Sequence, residues 1–209
     1  MPIEPSNWIR IIESNPEHTQ RYIERFHRMA AQGHDLGGEA RFVDAMAERE
    51  STILDAGCGP GRVGGRLHAR GHHVIGVDVD PGLIEAAEKD YPGPTWAVQD
   101  LAALDLESLG TSTVDIIVCA GNVMTFLAPS TRQLVLDNFA AALGAEGRAV
   151  IGFGAGRGYD FNEFFGQVAQ AGLTVDLALS SWDMRPFSPG SEFLVAVLSK
   201  PAVTQVLGL

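Results

Sequence analysis

Cysteine is scarce in this chain. Cys58 and Cys119 are the only two, too few for a disulfide framework and wrongly spaced for a C-x-x-C metal site. Basic residues are also in deficit: Lys and Arg total 15 against 26 Asp and Glu, for a net charge of -11. Such a surface repels phosphate backbones on average, and no Lys/Arg cluster marks a local groove, so nucleic acid is not an expected partner. No unbroken apolar run reaches the roughly 18 residues of a membrane span. The best candidate, 116–128, is interrupted by Asn122 and Thr125. The opening Met1-Pro2-Ile3-Glu4 lacks the basic-then-apolar pattern of a secretory leader. These absences predict a cytoplasmic, soluble protein without a membrane partner. Internal repeats and low-complexity tracts are missing too. So are the G-x-x-x-x-G-K-[ST] phosphate loop, the G-x-S-x-G nucleophile elbow and the H-E-x-x-H zinc pair, and no metal is expected.

What remains is an ordinary globular composition, 45% hydrophobic and 20% charged, which argues against disorder. A length of 209 residues suits one domain. The expected division is a helical N-terminal lid over 1–50 and an α/β core over 51–200. In the first part, Asn15-Pro16-Glu17 reads as a helix start, with a side-chain cap, proline at the first helical position and then an acid; that helix is expected to run to about Gln32. A glycine-rich loop, 33–38, precedes a second helix over 39–49.

Beyond residue 50 the hydrophobic period changes. Strands are expected at 51–56, 74–77, 95–98, 114–119 and 148–153. Helices are expected at 62–69, from Asp80-Pro81 onward, at 130–143 with Leu134, Val135, Phe139 and Leu143 aligned, and from Asp160 to Gly172. Two final strands, 173–181 and 192–198, have no helix between them and should form an antiparallel hairpin. Strands alternating with helices imply a mainly parallel sheet with helices on both faces, and ligands of such sheets bind beyond the carboxyl ends of the strands.

The informative stretch is Ile53-Leu54-Asp55-Ala56-Gly57-Cys58-Gly59-Pro60-Gly61-Arg62. It joins an apolar strand to a helix. Its glycines allow a sharp turn and a close backbone approach to a ligand, although a tight turn alone would also use Gly59 and Gly61. Asp78 ends the next strand, where an acid can accept hydrogen bonds from both ribose hydroxyls. The dinucleotide pattern G-x-G-x-x-G fails at its third position, which is Arg62, and Pro60 removes a backbone donor. The pattern points to an adenosine ligand with no required pyrophosphate.

D-A-G-C-G-P-G-R followed by V-I-G-V-D-V-D resembles motif I and the acidic loop of class I S-adenosylmethionine-dependent methyltransferases. The resemblance covers most of 41–198. It implies a Rossmann-like, seven-stranded sheet, mostly parallel with a C-terminal antiparallel hairpin, and methyl transfer from S-adenosylmethionine by in-line displacement. It further implies that Asp55, Ala56, Gly57, Cys58, Gly59, Gly61 and Arg62 surround the methionine end of the cofactor. Asp78 would hold the ribose with Val79 on the adenine. Asp100 would reach the adenine amino group, with Leu101 beside the ring, unless Asp100 is simply a solvated loop acid. Ala120, Gly121 and Asn122 would line the floor of the methyl-transfer site, Asn122 alternatively satisfying backbone groups.

The lid should supply Trp8, Tyr22, Phe26, His34 and Arg41. Arg41 suits either the cofactor carboxylate or a surface ion pair, and His34 either a base or an exposed loop residue. Tyr159, with Arg157 and Asp160, is expected to border the acceptor side, and Trp182 and Arg185 to approach it from the last hairpin. His34, Asn122 and Tyr159 are the candidates for a catalytic group. Cys119 reads as a buried structural thiol and the Phe161/Phe164/Phe165 group as core. The expected acceptor is a small molecule. The rival readings are an NAD-dependent oxidoreductase and a cofactor-binding protein without catalysis, with an aminopropyl transferase a distant third.

Overall fold

The computed structural model describes residues 3–201; the apolar tail at 202–209, whose sequence suits packing on a neighbour or fraying, lies outside the described residues. The N-terminal part holds three helices, α1 (Asn7–Ser14), α2 (His18–Ala31) and α3 (Gly38–Met46). The core continues with β1 (Thr52–Ala56), α4 (Arg62–His68), β2 (His73–Asp78), α5 (Pro81–Asp90), β3 (Thr95–Val98) and β4 (Val114–Cys119). It ends with α6 (Val123–Phe126), α7 (Arg132–Ala142), β5 (Leu143–Gly154), α8 (Phe161–Gln170), β6 (Thr174–Leu179) and β7 (Phe193–Ser199).

The seven strands lie in the order β3-β2-β1-β4-β5-β7-β6. Strands β1 to β5 pair in parallel, whereas β7 is antiparallel to both β5 and β6 and sits between them. The expected hairpin is therefore present, with its second strand inserted into the sheet. The order reverses between β1 and β4, so the crevice beyond their carboxyl ends is where the flanking loops part and leave room for a ligand.

The period-two pattern of the strands divides the core. Leu54, Ala56, Val77, Ile117 and Cys119 face one side and join Met124, Leu136, Phe139, Phe153, Tyr159 and Phe164. Ile53, Val74, Ile116 and Val118 face the other and meet Val43, Val63 and Leu67. Both sheet faces are thus dry, which explains the nearly continuous apolar strands. The expected core roles of Cys119 and Phe164 are observed, both at 0% exposure.

Several boundaries differ from the sequence reading for local reasons. Asn15 does not start a helix. It closes α1, which Ser6 caps by accepting a hydrogen bond from the Ile9 N–H, and α2 begins at His18 without a side-chain cap. The Asn15 side chain instead accepts from Arg21 at 2.6 Å. Helix α3 stops at Met46, because Ala47 is extended. On α7 the inward stripe is Arg132, Val135, Leu136, Phe139 and Ala142, while Leu134 is 40% exposed. Leu143 is already in β5, paired with Val114. The short α6 was not visible as a helical pattern, being too brief for one.

Close packing rather than turning explains some glycines. A Cβ on Gly76 of β2 would lie 2.1 Å from the Trp96 ring, and one on Gly65 of α4 2.2 Å from Tyr91. Gly76→Ala is therefore expected to destabilise the protein by about 1–3 kcal/mol through overpacking, read as a lower midpoint in urea unfolding with little change in slope.

Candidate active site

The turn after β1 is held in place from two directions. Gly57 and Cys58 both donate their N–H groups to the Val77 carbonyl at 2.9 Å, and Gly59 donates to Asp78 Oδ2 at 2.9 Å. The Gly61 N–H closes the turn on the Cys58 carbonyl at 3.1 Å. Gly57 and Gly59 have φ of 75° and 55°, which only glycine adopts without strain. A Cβ at Gly57 would also strike Val123 at 2.4 Å. Every N–H from 57 to 61 is thus engaged inside the protein, and Pro60 has none. A pyrophosphate would find no free backbone donor in this turn.

Two buried carboxylates organise the same region. Asp55, 2% exposed, accepts from the Gly64 N–H at 2.7 Å and so ties β1 to the first turn of α4. Asp78 accepts from Gly59 through one oxygen and from the Asp80 N–H, at 3.0 Å, through the other. Burial pushes Asp55 up to about 7, only partly offset by the Gly64 N–H, and pushes Asp78 up to about 6 against the opposing Asp80 and Gly59 N–H bonds.

A crevice enclosing roughly 900 Å³, its open mouth included, lies over this turn. Asp55, Gly57, Cys58, Gly59, Arg62, Asp78, Val79, Asp100, Leu101, Ala120 and Gly121 all line it, as do Trp8, Tyr22 and Phe26 from the N-terminal helices. Asp100 also caps the short turn Leu101–Ala103 by accepting from the Ala102 N–H at 2.9 Å. Arg62 is the only cation of the lining among the described residues. Its guanidinium is paired side-on with Glu39 at 2.6 and 2.8 Å and donates to the Leu36 carbonyl at 2.7 Å. Trp8 packs edge-on against Tyr22 and Phe126, at centroid distances of 5.1 and 5.4 Å, to close one wall.

Other expected site residues are placed elsewhere. Ala56 is fully buried in β1, and Gly61 packs against Ala87 and Trp96; neither is among the lining residues. Asn122 turns its side chain toward the sheet and accepts from the Gly154 N–H at 2.8 Å, the backbone-satisfying alternative. Arg41 forms a surface pair with Asp35 at 2.5 Å. His34 is exposed outside the lining set.

Tyr159, expected at the acceptor side, is 2% exposed in the core. It stacks on Phe153, with the Arg132 guanidinium 4.1 Å from its ring centre, and meets Phe164 of α8 edge-on, so the connection between β5 and α8 turns it into the core. Trp182 packs on Gly152 and Phe42, Arg185 pairs with Asp183, and Asp160 caps α8. Val123, Phe126 and Leu127 complete the wall without having been singled out. Their only sequence signal was position, immediately after a strand end.

Comparisons with known proteins show the family and the fold. A family described as "Methyltransferase domain" matches residues 53–147. A TehB-like S-adenosylmethionine-dependent methyltransferase of Corynebacterium glutamicum is 51% identical, with a TM-score of 0.85 over 89% of this chain and 100% of that one. The chain belongs to the S-adenosylmethionine-dependent methyltransferases, and the class I fold is the one described above. More distant structures share the fold. The CcbJ methyltransferase of Streptomyces caelestis is 17% identical, covering 78% of this chain and 88% of that one at a TM-score of 0.71. An S-adenosylmethionine-dependent methyltransferase of Clostridium acetobutylicum is 11% identical, covering 87% and 98% at 0.75. No curated protein matches. No helix among the described residues is long and apolar enough to cross a membrane.

The raised carboxylates give a pH signature with a definite sign. A folded-state value above the unfolded value of about 3.9 contributes stability that is complete below that pH and is lost as pH rises through the folded value. For Asp78 the loss falls between about pH 4 and pH 6. In the ligand-free protein, Asp78→Asn is expected to remove this component. Relative to wild type, its unfolding free energy should gain roughly 1–3 kcal/mol across that window. Denaturant titrations at pH 4, 5, 6 and 7 measure the slope, which is separate from any constant offset caused by losing one acceptor.

Proposed function

We propose that this protein transfers the methyl group of S-adenosylmethionine to a small molecule taken up in the space beneath Trp8, Tyr22 and Phe126. The observation that carries the reading is Asp78, a buried carboxylate held between the Gly59 and Asp80 N–H groups at the mouth of the β1 turn. Its position at the end of β2 suits a pair of ribose hydroxyls, both donors. Val79 and Leu101 offer apolar contacts to the adenine, and Asp100 an acceptor for its amino group.

The residues present fit the cofactor electrostatically. Three lining acids, Asp55, Asp78 and Asp100, face a crevice whose one cation, Arg62, is neutralised by Glu39. Such a wall favours a ligand carrying a sulfonium and an ammonium. The methionine ammonium is a donor, and Asp55 together with the carbonyls of the β1 turn supplies acceptors for it. The engaged N–H groups of 57–61 leave no cradle for a pyrophosphate, which this cofactor lacks; its single carboxylate has to find donors outside the turn.

The bound cofactor supplies an electrophilic methyl carbon on a positively charged sulfur. The chain's own part is to hold that group in line with the acceptor and to exclude water. Helices α1 and α2 act as the lid: Trp8 and Tyr22 cover the crevice between Gly59 and Gly121, with the Tyr22 ring 3.8 Å from where a Gly59 Cβ would stand. A cover of this kind suits an enclosed small acceptor better than a polymer lying along an open groove. His34 and Tyr159 lie outside the lining and Asn122 is bound to the backbone, so none of them is offered as a base.

Calorimetry with S-adenosylhomocysteine and with NAD tests the cofactor assignment, the expected result being binding of the first alone. Asp78→Ala should weaken S-adenosylhomocysteine by about 1–3 kcal/mol through lost charge-assisted hydrogen bonds. An unchanged affinity would take the ribose role away from Asp78. Methyl transfer from labelled cofactor into a metabolite extract, with a protein fraction and a nucleic-acid fraction alongside, tests the acceptor class. Label appearing only in a macromolecular fraction would overturn it.

A further inference from the structure

Asp80 is a carboxylate only 3% exposed, and none of the ion pairs among the described residues involves it. Its donors are neutral. One oxygen accepts from the Gly82 N–H at 2.9 Å, an ordinary cap of α5. The other accepts from two side chains of the N-terminal helices, the Trp8 indole N–H at 3.0 Å and the Thr19 hydroxyl at 2.5 Å. A cap needs only the first of these contacts. The other two reach 72 and 61 residues along the chain and hold α1 and α2 down on α5.

The same residue points the other way through its backbone. The Asp80 N–H donates to Asp78 Oδ1, and Asp78 Oδ2 receives the Gly59 N–H. A continuous line of hydrogen bonds therefore runs from Thr19 and Trp8 through Asp80 to Asp78 and the β1 turn. We propose that Asp80 is a positioning residue that couples docking of the N-terminal helices to cofactor binding at Asp78. The inference rests on the reading of Asp78 as the ribose ligand.

The physical reason is that the latch is built for reversibility. When α1 and α2 lift, water replaces the indole and hydroxyl donors at a carboxylate, so opening leaves no bare buried charge. When they close, Asp80 is fixed and with it the N–H that orients Asp78. Coupling of this sort is reciprocal: whatever the docked helices add to cofactor affinity, the cofactor returns as retention of the helices.

Thr19 separates this role from packing. Its hydroxyl makes the latch, while its methyl carbon lies 3.0 Å from where a Gly82 Cβ would stand. Thr19→Val keeps the shape and removes the hydroxyl; Thr19→Ser does the reverse. Calorimetry with S-adenosylhomocysteine is expected to show a dissociation constant raised about fivefold or more in Thr19→Val and changed by less than about twofold in Thr19→Ser. Hydrogen exchange over residues 7–31 should be slowed by S-adenosylhomocysteine in wild type and in Thr19→Ser, and much less in Thr19→Val. Trp8→Phe, which keeps a ring and loses the N–H, should follow Thr19→Val and serves as the reading if that variant folds poorly.

Wild-type affinity in Thr19→Val, or a larger loss in Thr19→Ser than in Thr19→Val, would overturn the latch while leaving the ribose assignment standing. Normal binding by Asp78→Ala would overturn that assignment and the coupling with it.

Discussion

The site depends on how a glycine turn is kept rigid. Three left-handed residues in five would be floppy if left to themselves, since glycine loses the most conformational freedom on folding. Here the freedom is removed by hydrogen bonds that cross between elements: two N–H groups of the turn share the Val77 carbonyl, a third meets Asp78, and Asp55 anchors the start of α4. The opposing face is filled by Val123, close enough that any side chain at Gly57 would collide with it. The turn is thus a fixed wall, and both acids that fix it also line the crevice.

That arrangement separates two kinds of nucleotide site that look similar in sequence. Dinucleotide sites expose backbone N–H groups to a pyrophosphate at the start of a helix. In this turn those groups are turned inward and consumed, and the charge presented to the ligand is negative. Under the proposed reading such a wall suits the sulfonium and ammonium of the methyl donor, whereas a pyrophosphate would find no backbone donor in the turn. The family membership rests on the relative that is 51% identical, and beside it the local chemistry supports the proposed placement of the cofactor.

The N-terminal helices are the second feature of consequence. Beside the crevice they are fastened by Glu39 and Leu36 on Arg62 and by Trp8 and Thr19 on Asp80, and farther along α5 by His27 on Asp90. Both residues beside the crevice, Arg62 and Asp80, open helices that follow β1 and β2, so the proposed lid is attached to the elements that would hold the cofactor. The aromatic cluster of Trp8, Tyr22 and Phe126 supplies the apolar cover. The proposal of a small acceptor rests on that cover, which roofs part of the crevice.

The chain's own residues determined the alternation of strands and helices, the glycine turn, the acid at the end of β2 and the absence of a phosphate loop, because each is a local pattern of spacing or side-chain type. They did not determine the fate of Asn122, Arg41 or Tyr159. Each is polar and follows or precedes a site element, which is all that spacing can report. Only the tertiary structure sent Asn122 to the Gly154 N–H, Arg41 to Asp35 and Tyr159 beneath Arg132. It alone also joined Trp8 and Thr19 to Asp80 and Glu39 to Arg62, since contacts between residues tens of positions apart depend on how helices pack, and nothing in the local sequence marks a partner that distant.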